Sequence, residues 1–221
     1  MRYSKHLQAV SAVLLLSAAI TCDTGAKDDK EPAKETGAKA EQKKPNEADM
    51  MAMMMEMGKP GENHKHLQEM AGTWSYTVKF WMDPDAAPSE SSGMAVTRTV
   101  MGGRYVISDI TGKMQMPGPD GKMMDMEFVG MAIEGYDKAK KKFVSSWIDN
   151  MGTGIMNSEG TYDSATKTLT YYAEYEPMPG MKTKAREALK IPDRDHHTME
   201  FFEERGGKEV KTMEIAYTRK K

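Results

Sequence analysis

After Gly72 the sequence adopts a period of two and keeps it to the end of the chain. Polar and apolar residues alternate over short runs at residues 73–82, 91–101, 104–111, 124–136, 143–149, 154–162, 168–176, 182–191, 197–203 and 210–218. Alternation sends successive side chains to opposite faces, so each run reads as a strand with one buried face. Turn residues separate the runs: Asp83-Pro84-Asp85, Gly102-Gly103, the cluster Pro117-Gly118-Pro119-Asp120-Gly121, and Gly206-Gly207. Gly130 and Gly135 interrupt the longest run and predict a bulge or bend there. No stretch after Ala71 has the length and spacing of a normal helix. About ten short strands at this spacing predict a mainly β domain, an antiparallel sandwich or barrel.

The residues before Gly72 follow other rules. Arg2 and Lys5 precede an apolar segment, residues 7–20, too short to span a membrane as a mature helix but suited to an export signal. Residues 23 to about 50 are Lys, Glu, Asp, Ala, Gly and Pro without an aromatic residue, and predict a solvated, disordered tether. The run Met50 to Met57 favours a short helix, with Asp49 as its cap and Gly58-Lys59-Pro60-Gly61 as its stop. A further helical turn over residues 62–70 places His66, Leu67 and Met70 on one face. The expected organisation is a signal peptide at 1–21, a charged linker with a Met-rich segment at 22–60, and a barrel domain at 61–221.

The 31 basic and 33 acidic side chains leave a net charge of -2, so no global field recruits nucleic acid. One cysteine, Cys22, excludes an intrachain disulfide and a Cys-based zinc cage. Its setting, Ala19-Ile20-Thr21-Cys22, resembles the lipobox of bacterial lipoproteins, although Thr21 stands where that family has a smaller residue. The resemblance implies lipidation of Cys22, a membrane anchor, and a place in the bacterial cell envelope facing the periplasm or the surface. The other reading is a secretory signal with an incidental cysteine.

Gly72-Thr73-Trp74 resembles the Gly-x-Trp that opens the first strand of lipocalins and their calycin relatives. That resemblance implies that Trp74 closes the base of a barrel under a basic residue from the last strand, for which Arg219 is suitably placed. A longer ordered series agrees: His64-Lys65-x-Leu67, Trp81-Met82-Asp83-Pro84, Gly102-Gly103-Arg104, Gly135-Tyr136-Asp137, Trp147-Ile148-Asp149, Met151-Gly152-Thr153-Gly154 and Glu159-Gly160-Thr161-Tyr162-Asp163. Together these resemble the bacterial family known as domain of unknown function 1579, over about residues 61–221. The resemblance implies an exported, lipocalin-like antiparallel β-barrel and assigns no activity.

No Gly-x-Ser-x-Gly, phosphate-binding loop or His-Glu-x-x-His is present. Ser164-Ala165-Thr166-Lys167 matches Ser-x-x-Lys but falls in a hairpin turn, where no helix aligns the pair. Asp193, Asp195, His196 and His197 read as a polar loop, and adjacent histidines on a strand point apart. Trp147 and Asp149 share one strand face and carry two readings. They form a ligand wall with a polar anchor, or a core Trp beside an Asp that caps the next turn. Clustered methionines, among 23 in the chain, suit either adaptable apolar packing or soft Cu(I). The sequence thus predicts a lipid-anchored envelope barrel binding a small apolar or amphipathic ligand, with no catalytic residue, cofactor or metal. The alternatives are an envelope interaction module without a cavity ligand and a Met-rich copper protein.

Overall fold

A computed structural model describes residues 45–118 and 120–221. The expected signal peptide, Cys22 and the tether as far as residue 44 lie outside the described residues. Two short helices, α1 (Glu47–Met57) and α2 (Glu62–Glu69), precede ten strands. These are β1 (Gly72–Phe80), β2 (Ser89–Val100), β3 (Tyr105–Pro117), β4 (Met123–Asp137), β5 (Lys142–Asp149), β6 (Met156–Asp163), β7 (Thr168–Met178), β8 (Met181–Lys190), β9 (His196–Arg205) and β10 (Lys208–Arg219). Each pairs antiparallel with its sequence neighbour, and β1 pairs with β10 from Trp74↔Arg219 to Phe80↔Met213. The sheet closes on itself as a lipocalin-like barrel and, among the described residues, leaves no unpaired edge strand.

Period two decides the inside. Trp74, Tyr76, Ala95, Val106, Ile110, Phe143, Leu169, Tyr171 and Ile215 are all buried and all fall on the inward parity of their strands. Three local expectations need correction. Neither Gly130 nor Gly135 marks a bulge, since the β3–β4 register runs unbroken from Tyr105↔Gly135 to Pro117↔Met123. Both glycines instead leave room for rings: a Cβ on Gly130 would lie 2.5 Å from Trp147 Cη2, and one on Gly135 2.6 Å from Tyr105 Cδ1. The same pairing carries β3 to Pro117, beyond residue 111, because Met114↔Met126 and Met116↔Met124 continue the ladder. The tether also ends earlier than expected. α1 starts at Glu47, and its cap is Asn46, whose side chain accepts the Asp49 N–H at 2.9 Å while Asp49 returns a bond to Asn46.

α2 closes one end of the barrel. Its Leu67, with Met70, joins Val106, Phe143, Leu169 and Tyr171 in an apolar floor. The buried histidine of α2 is His64 rather than His66: its Nδ1 accepts the Gly61 N–H at 2.9 Å and its ring meets Tyr136 edge-on. His66 lies half-buried against Tyr162. α1 is held at its C-terminus, where Lys138 Nζ donates to Glu56 O and Arg104 Nε to Gly58 O, both at 2.7 Å. Its six methionines remain exposed.

Candidate functional site

The closed end is sealed by one residue of the last strand. The Arg219 guanidinium lies 4.1 Å from the centre of the Trp74 ring, and Trp74 is only 3% exposed. Arg219 also donates to three backbone carbonyls, Ala71 at 2.6 Å, Arg194 at 2.7 Å and Glu69 at 3.0 Å. These bonds tie β10, the β8–β9 loop and the end of α2 together around the indole, whose own N–H donates to Met70 O at 3.0 Å. His197 packs edge-on against Trp74 and stacks on Tyr217. Its burial, with the Arg219 charge beside it, depresses its pKa to about 4, so at neutral pH it is an uncharged packing group.

Above the floor the barrel turns polar. Glu134 on β4, Tyr171 on β7 and Glu187 on β8 all point inward, Tyr171 and Glu187 as direct cross-strand partners. The Tyr171 hydroxyl donates to Glu134 Oε1 at 3.1 Å, reaching past β5 and β6. Glu187 has no hydrogen-bond or ion-pair partner among the described residues. Burial, and then the nearby Glu134 charge, pushes its carboxyl up to about 7. Burial also raises Glu134, against the opposing pull of the Tyr171 hydrogen bond. The Tyr171 phenol stays protonated because burial and the Glu134 charge both disfavour its anion. Tyr217 is raised likewise, by burial and then by Tyr76 and the two glutamates.

These groups lie deep in the protein, yet Glu134, Glu187 and Tyr217 are half-buried rather than buried. So are Phe128, Ser145, Trp147, Met199, Phe201 and Met213, all on inward positions. A side chain that points into a closed barrel and keeps accessible surface borders space in the bore that other side chains do not fill. Large rings are kept flat against the wall by glycines. The Tyr76 phenol crosses Gly93 and Gly112 and donates to Thr111 O at 3.1 Å, while Trp147 lies on Gly130. A ten-stranded barrel is wide enough for this, since eight strands already enclose one small ligand.

Trp147 and Asp149 both face inward near the open end, at the last turn of β5. The Trp147 indole N–H donates to Asp149 Oδ2 at 2.7 Å, and Asp149 Oδ1 accepts the Met151 N–H at 2.9 Å. Asp149 therefore caps the turn with one oxygen and fixes the indole with the other. His196 and His197 do point apart, His196 toward Asp193 at the surface. Ser164 to Lys167 form the β6–β7 turn, in which Asp163 Oδ1 accepts the Ala165 N–H. Sequence reasoning missed Glu134, Glu187, Tyr171 and Tyr217. For Glu187 the signal is a carboxylate on the otherwise apolar face of an alternating strand: Ala185-x-Glu187-x-Leu189 opposite Lys184-x-Arg186-x-Ala188-x-Lys190.

A solved structure, Rv2717c from M. tuberculosis, is similar in fold, with a TM-score of 0.51 and 12% sequence identity, over 74% of this chain and 100% of that one. No curated protein matches the chain. The profile of the family described as protein of unknown function (DUF1579) matches residues 59–219, and the chain belongs to that family.

Proposed function

We propose that this protein is a cell-envelope lipoprotein whose barrel binds a small apolar or amphipathic molecule in its bore. The carrying observation is the ring of inward side chains that stay half-buried around Glu134, Glu187 and Tyr217, above an apolar floor. Ligand sites of this kind are mostly apolar with a few placed polar groups. Trp147 supplies an apolar wall near the mouth, and Asp149 holds its ring in place. The apolar segment at 7–20 and the placement of Cys22 after it support export and a lipid anchor.

The test uses residues 23–221, which retain every described residue, and phenylnaphthylamine as a neutral fluorescent probe. Saturable binding is expected, and Trp147→Ala should weaken it more than tenfold, about 1.4 kcal/mol. Trp81 is the control, since it lies outside with Lys211 Nζ 5.2 Å from its ring. Equal losses from both substitutions would overturn the assignment of Trp147. Absence of saturable binding would favour the second reading, a protein-interaction module. That reading draws on the exposed methionines of α1, among them Met53, Met54 and Met55 at 61%, 68% and 66% exposure.

A further inference from the structure

The polar layer of the bore has an uneven charge inventory. Two carboxylates, Glu134 and Glu187, meet there from β4 and β8. One oxygen of Glu134 is taken by the Tyr171 hydroxyl, and Glu187 has no partner among the described residues. The cations that share the inward parity lie at the two ends of the barrel. Arg205 and Lys208 stand at the open rim, where Arg205 is paired with Glu203 at 2.8 Å, and Arg219 is occupied at the closed end. Facing Glu187 are Tyr171 and, further along, Tyr175 from β7, Phe201 from β9, Glu134 from β4 and Tyr217 from β10. None of these supplies a positive charge.

Above this layer the wall is apolar, with Ile110, Phe128, Trp147 and Met213 in one cluster. It continues past the rim. β2 leaves β3 after Lys113 and β5 joins β4 only at Gly130, so the tip of the β3–β4 hairpin stands free of other strands. Met114, Met116, Met124 and Met126 lie on the face of that tip continuous with Ile110 and Phe128. The bore therefore presents two carboxylates without a cation at depth and a flexible apolar lip at its entrance.

We propose that the bore takes an amphipathic cation, a protonated amine on an apolar tail, with its ammonium held between Glu187 and Glu134 and its tail toward Trp147 and the methionine lip. This rests on the bore binding a ligand at all. An ammonium supplies three donors and the missing charge to acceptors already in place. A carboxylate or phosphate ligand would add a third negative group to two that already repel. A neutral ligand would leave the desolvated pair uncompensated. The shift of Glu187 toward neutrality is what a carboxylate without its counter-ion shows, and a bound cation lowers that pKa again.

The experiment compares octylamine, octanol and octanoate, each displacing phenylnaphthylamine from residues 23–221 at about pH 8, where Glu187 is ionised. Octylamine should bind more than tenfold tighter than octanol, with octanoate weakest. Glu187→Gln should bring octylamine to the level of octanol and leave octanol unchanged, whereas Glu187→Asp should keep the order. Acidification to about pH 5.5 protonates Glu187, and should weaken octylamine for the natural protein but not for the Gln variant. Equal binding of amine and alcohol, tighter binding of octanoate, or an amine preference surviving Glu187→Gln would overturn the proposal while leaving the bore as a ligand site. Failure of the probe and all three compounds to bind would instead remove the bore reading itself.

Discussion

The Tyr171 hydroxyl reaches Glu134 across the barrel rather than along the sheet, donating to Oε1 at 3.1 Å between strands that are not neighbours. This bond sets a polar layer directly on the apolar floor, because Tyr171 itself belongs to the floor cluster. A buried carboxylate with a donor is tolerable, while one without is costly. Glu134 and Glu187 represent the two cases, and the difference between them is measurable.

Glu187 holds its proton more tightly in the folded chain than in the unfolded one, with a pKa near 7 against an ordinary 4.5. Its contribution to stability is thus complete below about pH 4.5 and lost as pH rises through about 7, a difference of about 3 kcal/mol. His197 acts oppositely: its pKa near 4 against an ordinary 6.5 removes stability as pH falls between those values. The two partly cancel in the natural protein. Glu187→Gln should therefore match it near pH 4.5 and exceed it by up to about 3 kcal/mol above neutrality, as read by urea unfolding across pH. Parallel pH profiles would contradict the unpartnered state of Glu187.

Trp74→Ala should cost about 3–5 kcal/mol by denaturant unfolding, a large part of an ordinary domain's stability. Arg219→Lys keeps the charge but loses the planar fork that serves three carbonyls and covers the ring. It should also destabilise clearly, and a Lys variant as stable as the natural protein would remove Arg219 from the seal.

Gly112 provides space rather than backbone freedom. A Cβ there would run into the Tyr76 hydroxyl and lie 3.0 Å from Ser92 O. Gly112→Ala should cost about 1–3 kcal/mol through overpacking. In a double-mutant cycle, Tyr76→Phe should recover part of that loss, because the colliding oxygen is gone. Strictly additive losses would mean that the ring does not lie over Gly112.

Anchoring is tested separately from the barrel. Metabolic labelling with a fatty-acid probe should mark the natural protein, and Cys22→Ser should abolish the label and release the protein to the soluble envelope fraction. An unlabelled natural protein cut elsewhere would reject the anchor.

Much of the barrel is legible in the sequence because alternation is a direct consequence of strand geometry. The ten runs correspond to ten strands, with most boundaries displaced by only a few residues. What alternation leaves open is how a glycine on the inward face is used. Gly130 reads as a break, but it is a seat for the Trp147 ring, a contact between strands that no local pattern encodes. Helical spacing groups His66 with Leu67 and Met70, yet His64 is the buried histidine, packed against the Tyr136 ring that no local pattern encodes. Glu187 was the most readable of the missed residues. The basic face of β8, with Lys182, Lys184, Arg186 and Lys190, marks the outside, so Glu187 has to face in.

The central claim, that the bore is an occupied binding site, is met most directly by native mass spectrometry of the protein isolated from the cells that make it, beside a Ser145→Phe variant that fills the bore. The account predicts a small-molecule adduct on the natural protein, displaced by octylamine and missing from the filled variant. A natural protein carrying only its own mass, or an adduct that persists unchanged in the filled variant, would contradict it.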